Sequence, residues 1–250
     1  MPDTKSPTTD WPTLASALSA ALHLTTPPLA ITFCDSTPAD IAPYDAPMPD
    51  AMPDGRTGRV PAGCVFWMQA TDRTFSTVAD DHGNCSVGSV THGFKTLEEV
   101  AGNSDVAALV GSGWVTMDVV PQIPVVRECP GAVVYGPLAE TPIEPDVVFL
   151  RVTGRQLMVL SDAIPGLRIE GKPQCHIVAV AKEEHVPAAS VGCALSRVRT
   201  GMAPGEMTCA IPAEQMGEIL ESIQRHADAD NVVAHYAAED ARRFARESSA

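Results

Sequence analysis

Apolar residues in this chain come in short runs whose spacing changes from one run to the next. Trp11, Leu14, Ala15, Leu18, Ala21 and Leu22 recur at three- and four-residue intervals, which places them on one face of a helix. Asp10 stands where a cap belongs, Pro12 is tolerated in a first turn, and Pro27-Pro28 ends the element, so a helix is predicted over 11–24. Leu29 to Phe33, apolar except for Thr32, is too short for a helix and reads as a buried strand. The proline-rich stretch 35–61 has few large apolar residues and is predicted to be a long surface loop, either a lid or an insertion without function. Beyond it the pattern predicts a short helix over 61–70, a strand over 73–79 and a helix over 97–110. Strand composition follows at 125–126, 132–135, 147–152 and 207–211. Thr153 can cap a helix over 154–163, while 177–181 suits a strand or a helix. Met216, Ile219, Leu220 and Ile223 share one face of a helix predicted over 213–226, and a charged last helix is predicted over 231–247.

Between these elements lie two similar turns. Gly83-Asn84-Cys85-Ser86-Val87-Gly88 and Val191-Gly192-Cys193-Ala194-Leu195-Ser196 each place a cysteine in a glycine-bearing turn before a short segment of helical composition. Each has a second cysteine upstream, Cys64 before Cys85 and Cys175 before Cys193. Laying Val78–Gly93 over Val186–Gly201 needs no gap and matches four of sixteen positions, Cys85 with Cys193 and Gly93 with Gly201 among them. The apolar strands that open with Pro28 and Pro145 extend the match. A duplicated unit of strand, cysteine, strand, turn, cysteine and short helix accounts for this pattern. The expected fold is therefore α+β: one compact domain of two pseudo-repeated strand/helix lobes, with the cysteine-bearing turns meeting at the seam. Residues 1–10 are expected to form a flexible tail, 11–228 the domain (lobes about 24–140 and 141–226), and 229–250 a C-terminal helical tail.

Composition narrows the function classes. The 250 residues carry a formal charge of −14, which disfavours nucleic acid and anionic membrane surfaces, since both need clustered Lys and Arg. No apolar run approaches the roughly 20 residues that span a bilayer, and the N-terminus lacks a basic secretory region, so a cytoplasmic protein is expected. Seven cysteines, an odd number without a secretion signal, argue against a disulfide framework.

Thiolate is a soft ligand suited to zinc, copper(I) or iron–sulfur clusters. Structural zinc usually shows a close C-x-x-C pair and bacterial ferredoxins a closely spaced run, and neither occurs here. Four dispersed thiols suit a cluster held between lobes, with glycine turns letting backbone N–H groups approach it. Cys34, Cys129 and Cys209 lack paired context, and Cys209 reads as packing. Beside the cysteines, His82 follows Asp80-Asp81, whose carboxylates would raise its pKa and suit it to donate protons. Arg197, four residues after Cys193, is a candidate anchor for an anionic substrate. His176, next to Cys175, is a weaker candidate for supporting a ligand. No nucleotide-binding glycine loop, nucleophile elbow or H-E-x-x-H is present.

The Pro-Leu-Ala-Ile-Thr-Phe strand, Ala62-Gly63-Cys64, the His82-x-x-Cys85-x-x-Gly88 turn, the Pro145-Asp-Val-Val strand and Val191-Gly192-Cys193-x-x-x-Arg197 together resemble the family termed domain of unknown function 169. The resemblance spans roughly 24–223 and implies a one-domain α+β protein with cysteines at Cys64, Cys85, Cys175 and Cys193. It implies no activity. The expectation is thus an iron–sulfur protein, 4Fe-4S in type, with these four cysteines as ligands, acting as a reductase or lyase on a small anionic substrate with an external electron donor. Two other readings stay open: a non-enzymatic cysteine protein responsive to zinc, copper or oxidant, and a cofactor-free small-molecule binder.

Overall fold

The computed structural model describes residues 9–48, 56–171 and 173–247. Most of the predicted N-terminal tail, residues 49–55 of the long loop and residues 248–250 lie outside the described residues.

Helix α1 (Trp11–Leu22) starts at Asp10, whose carboxylate accepts from the Thr13 amide, and ends at His23 in a left-handed conformation. Its periodic face, Trp11, Leu14, Ala15, Leu18 and Leu22, is buried. Strand β1 (Leu29–Cys34) follows, then α2 (Cys64–Gln69), β2 (Phe75–Thr77), α3 (Ser86–Thr91), α4 (Leu97–Val100), α5 (Ser104–Gly111) and β3 (Ala132–Pro137). The second half contains β4 (Val147–Val152), α6 (Gly154–Ala163), β5 (Arg168–Glu170), α7 (His176–Ala179), β6 (Ala188–Ser190), α8 (Ala194–Thr200), β7 (Met207–Pro212) and α9 (Met216–Glu247).

The strands form one seven-stranded mixed sheet in the order β2-β3-β1-β4-β7-β6-β5. β1 and β4 pair antiparallel at its centre, Ala30 opposite Val148. On either side of that pairing the halves repeat: β3 lies antiparallel to β1 and β2 to β3, as β7 lies to β4 and β6 to β7. The edge strand β5 runs parallel to β6, and its counterpart in the first half is shorter, a single parallel bridge between Pro43 and Ser76 of β2. The molecule is therefore a single α+β domain of two pseudo-repeated lobes.

Because strand side chains alternate, the sheet has two buried faces. Ala30, Val148, Leu150, Cys209 and Ile211 pack under α1, α6 and α9. Leu29, Ile31, Val133, Tyr135, Val147 and Phe149 pack under α2 and α7 on the other face, where Cys64 and Cys85 join the core and Cys175 packs against it; Cys193 is also buried. Cys209 is fully buried on the opposite face, and burial raises its pKa to about 12.

Some predicted boundaries shift. Residues 125–126 form no strand. The two predicted C-terminal helices are one continuous helix, α9, since His226 to Asn231 contains neither Gly nor Pro to break it. Residues 176–179 are helical and continue into a π-turn over 180–184. Among the described residues no helix is long and apolar enough to cross a membrane.

Candidate cysteine site

The repeat places the four cysteines at matching points. Cys64 opens α2 and Cys175 caps α7. Cys85 and Cys193 are the extended N-cap residues of α3 and α8 (φ −127° and −132°). Packing then crosses the seam: α2 lies against α8, and α3 against α7. Each contact joins one lobe to the other, so the four helix starts converge.

The thiols feel one another in every pairing. Cys64 is pushed above the ordinary thiol range first by burial, then by the charges of Cys85 and Cys193. Cys85 is raised by burial and further by Cys193. Cys175 is raised well above that range by burial, then by Cys85, Cys193 and Cys64. Hydroxyls attend two of them, Ser196 beside the Cys64 thiol and Thr91 beside that of Cys175. The Gly88 amide donates to the Cys85 sulfur at 3.4 Å. Among the described residues no three His, Cys, Asp or Glu side chains are grouped tightly enough to hold a single metal ion.

The sequence alignment of the halves holds from the cysteines onward. Gly93 and Gly201 both end their helical segments at positive φ, +80° and +76°, a conformation that favours glycine. Upstream the halves diverge. β6 ends three residues before Cys193, whereas β2 ends eight before Cys85, with a 3₁₀ turn over Ala79–His82 between. That inserted turn carries His82, which has no counterpart in the second half.

His82 does not lie in an exposed acidic turn. It is buried, packed at tilted ring angles among Phe66, Phe94, His92 and Tyr135. Asp81 turns away, accepting from the Val78 amide at 2.8 Å and pairing with Arg59 Nε at 2.7 Å. Burial, aided by His92, therefore holds the His82 pKa well below its ordinary value, the reverse of the direction expected from the Asp80-Asp81 pair. The hydrogen bonds also fix its tautomer. Thr77 Oγ1 donates to the Val133 carbonyl, so it accepts from His82 Nε2–H at 3.0 Å. Nδ1 is then a bare, buried acceptor without a partner, and a Cβ on Gly63, the residue before Cys64, would sit 3.1 Å from it. The His82 carbonyl accepts from the Cys85 amide and from Ser89 Oγ, so the same residue shapes the Cys85 turn.

Arg197 is likewise placed otherwise than expected. Its guanidinium donates to the carbonyls of Val191, Ala203, Pro204 and Glu206. The fork is committed to tying together the loops around α8, which leaves no bidentate face for a substrate. Arg199 is a cation beside the cysteines: it opposes the burial that raises the Cys85 pKa and donates to the Asn84 carbonyl at 2.6 Å, to which Arg56 also donates at 3.1 Å. Arg199 Nη1 is buried without a hydrogen-bond partner. Tyr135, on β3, is a further residue the sequence reading missed. Its hydroxyl is buried and unpartnered, and its pKa is raised well above normal by burial and by the charges of Cys175 and Cys64. His176 faces Glu170, Nε2 3.3 Å from the carboxylate.

A family model matches residues 17–222, nearly the whole of this arrangement. The chain belongs to the DUF169 family. That family is described as uncharacterised ArCR. No curated protein and no solved structure matches the chain. What the DUF169 protein does must therefore be argued from the seam itself.

The donor set fits an iron–sulfur cluster. Four soft ligands enter from four backbone segments, neighbouring thiols act on Cys64, Cys85 and Cys175, Arg199 and Arg56 reach the Asn84 carbonyl beside them, and Tyr135 Oη, His82 Nδ1 and Arg199 Nη1 are buried polar atoms without partners.

Proposed function

We propose that this DUF169 protein binds an iron–sulfur cluster, 4Fe-4S in type, on Cys64, Cys85, Cys175 and Cys193, and that it acts as an oxidoreductase on a small molecule with an external electron donor. One observation carries the reading: a duplicated fold packs α2 against α8 and α3 against α7, so four thiols from four helix starts come to one seam. Bound there, a cluster would supply one-electron transfer.

The chain's own residues supply the rest. Arg199 offsets the negative charge that thiolates gather around Cys85. Tyr135 holds a proton at its hydroxyl that burial keeps from leaving, and can donate it as a hydrogen bond to a sulfur or a bound molecule. His82, neutral and with a bare Nδ1, is an acceptor at neutral pH, which replaces the proton-donor role first expected of it. The sheet and the aromatic residues around His82 exclude water from this side of the seam.

The test is anaerobic purification of the full chain followed by visible spectroscopy and assay of iron and acid-labile sulfide. A broad visible band with matched iron and sulfide, lost jointly in Cys64→Ser, Cys85→Ser, Cys175→Ser and Cys193→Ser but kept in Cys209→Ala, is the expected result. Stoichiometric zinc without sulfide would favour the metal-responsive alternative. A colourless protein free of metal, with folding unaffected by the four serine variants, would return the cysteines to packing.

A further inference from the structure

A cavity of about 460 Å³ lies against the cysteine site, between α3, α4, α5 and the segment 114–123. Its inner wall is one face of α3: Ser86, Val87, Val90 and Thr91 line it, at the i, i+1, i+4, i+5 spacing of a helix face. The same helix begins at Cys85, and the Thr91 side chain also reaches the Cys175 thiol. Pro173, two residues before Cys175, closes one side. The wall of the cavity and the wall of the cysteine site are thus the same short helix.

The lining decides the ligand class. Beyond α3 it is built from Leu, Val, Ala, Met, Ile, Pro and Trp114. Glu98 is the single charged residue among the described residues that line it, and no Lys or Arg does. The Ser86 hydroxyl is already spent on Asp105 and Asn103. A site without a cation and with one carboxylate repels an anion, and a wall of aliphatic side chains favours a molecule that gives up little hydration on entering. Its volume falls in the roughly 300–1,000 Å³ typical of small-molecule sites, and its walls curve around the space from four segments of one chain.

We infer that this cavity binds an uncharged, predominantly apolar small molecule, held against the α3 wall that carries Cys85. That the bound molecule faces a redox centre rests on the iron–sulfur reading; that it binds does not. The inference also replaces the anionic substrate expected from Arg197, which lies on α8 and whose guanidinium is occupied by four loop carbonyls.

The test uses the neutral fluorophore N-phenyl-1-naphthylamine, titrated into the full-length protein. Saturable, one-to-one enhancement of its fluorescence is expected. Val110→Trp fills the cavity from α5, a partly exposed position, and should weaken binding at least tenfold. Ala108→Trp adds the same bulk at an exposed α5 position outside the lining and should leave binding unchanged. Absence of saturable binding, or equal loss in both variants, overturns the inference. So does a protein that fails to bind the probe and runs as a dimer which Val110→Trp converts to monomer, since the face is then covered by a second copy. Iron and sulfide are measured on the same samples. Probe binding without a cluster defeats the iron–sulfur reading alone, and a cluster without probe binding defeats this inference alone.

Discussion

Replacing Gly83 by alanine sets two physical expectations against each other. Gly83 has an ordinary right-handed backbone (φ −58°, ψ −22°). On conformational grounds alone, alanine should stabilise the protein by roughly 0.4–1 kcal/mol, because it restricts the unfolded chain. Sterics point the other way. A Cβ there would lie 1.6 Å from the Thr57 carbonyl oxygen and 2.8 Å from its carbon, backbone atoms that cannot swing aside. Restoring even 3.0 Å requires one strand of chain to retreat by at least about 1.4 Å. That retreat breaks what holds the two segments together: Asn84 Nδ2 donates to the carbonyls of Gly58 at 2.8 Å and Val60 at 3.2 Å. Asn84 is buried, so losing its partners costs about 1 kcal/mol per bond and about 1–3 kcal/mol for the stranded amide. After the entropic gain is subtracted, Gly83→Ala should destabilise by about 2–4.5 kcal/mol, read from the urea midpoint at unchanged slope. Gly111→Ala, at the end of α5 with nothing near its Cβ, is the control and should gain about 0.5–1 kcal/mol. Because Cys85 lies two residues on, a cluster bound as proposed should be lost in part from the Gly83 variant and kept in the control. Equal or greater stability of Gly83→Ala would refute the close-approach argument outright.

Three further outcomes follow from the same geometry. His92 is buried, donates from Nδ1 to the Gly88 carbonyl, and burial lowers its pKa from 6.5 to about 4; its folded pKa is depressed, so the unfolded chain binds the proton first, and stability present above pH 6.5 is lost as pH falls toward 4. The loss from this residue is on the order of 3 kcal/mol, His82 acts in the same direction, and His92→Gln should flatten the urea midpoint between those pH values. Tyr135→Phe removes a buried hydroxyl that has no partner and should stabilise the metal-free chain by about 1 kcal/mol, while shifting the reduction potential of a reconstituted cluster; no shift would make the tyrosine merely structural. Arg197→Lys cannot span four carbonyls and should cost about 1–2 kcal/mol in thermal or urea unfolding, with no effect on N-phenyl-1-naphthylamine binding.

The helices with clean periodicity and caps, α1 and α6, were readable because their faces, caps and breakers all agree. The α+β class and the duplication were readable too, since Cys85 with Cys193 and Gly93 with Gly201 perform the same backbone task in each half. What escaped was direction. Arg197 and Arg199 are two residues apart, which on a helix turns them about 200°, so spacing alone could not say which one reaches Cys85. The Asp80-Asp81 pair suggested an acidic neighbourhood for His82, but the 3₁₀ turn sends Asp81 to Arg59 and His82 into the aromatic core. Tyr135 carried a usable signal: it alternates with Val134 and shares its face with Val133, a face that only strand pairing identifies as that of the cysteines. The short strands β5 and β6, three residues each, offer no period long enough to detect.

The antiparallel junction of β1 with β4 has one more consequence. Two identical half-length chains, each presenting the edge of its β1-like strand, would pair into the same central sheet and bring two thiols apiece to a common axis. Such an assembly is bound to treat both sides of that axis alike. A single chain is free of this obligation, and here the freedom is used on one side: the inserted 3₁₀ turn brings an imidazole, and the helices between β2 and β3 enclose an apolar chamber. Fusion of the two halves is what allows a symmetric set of thiols to have a front and a back.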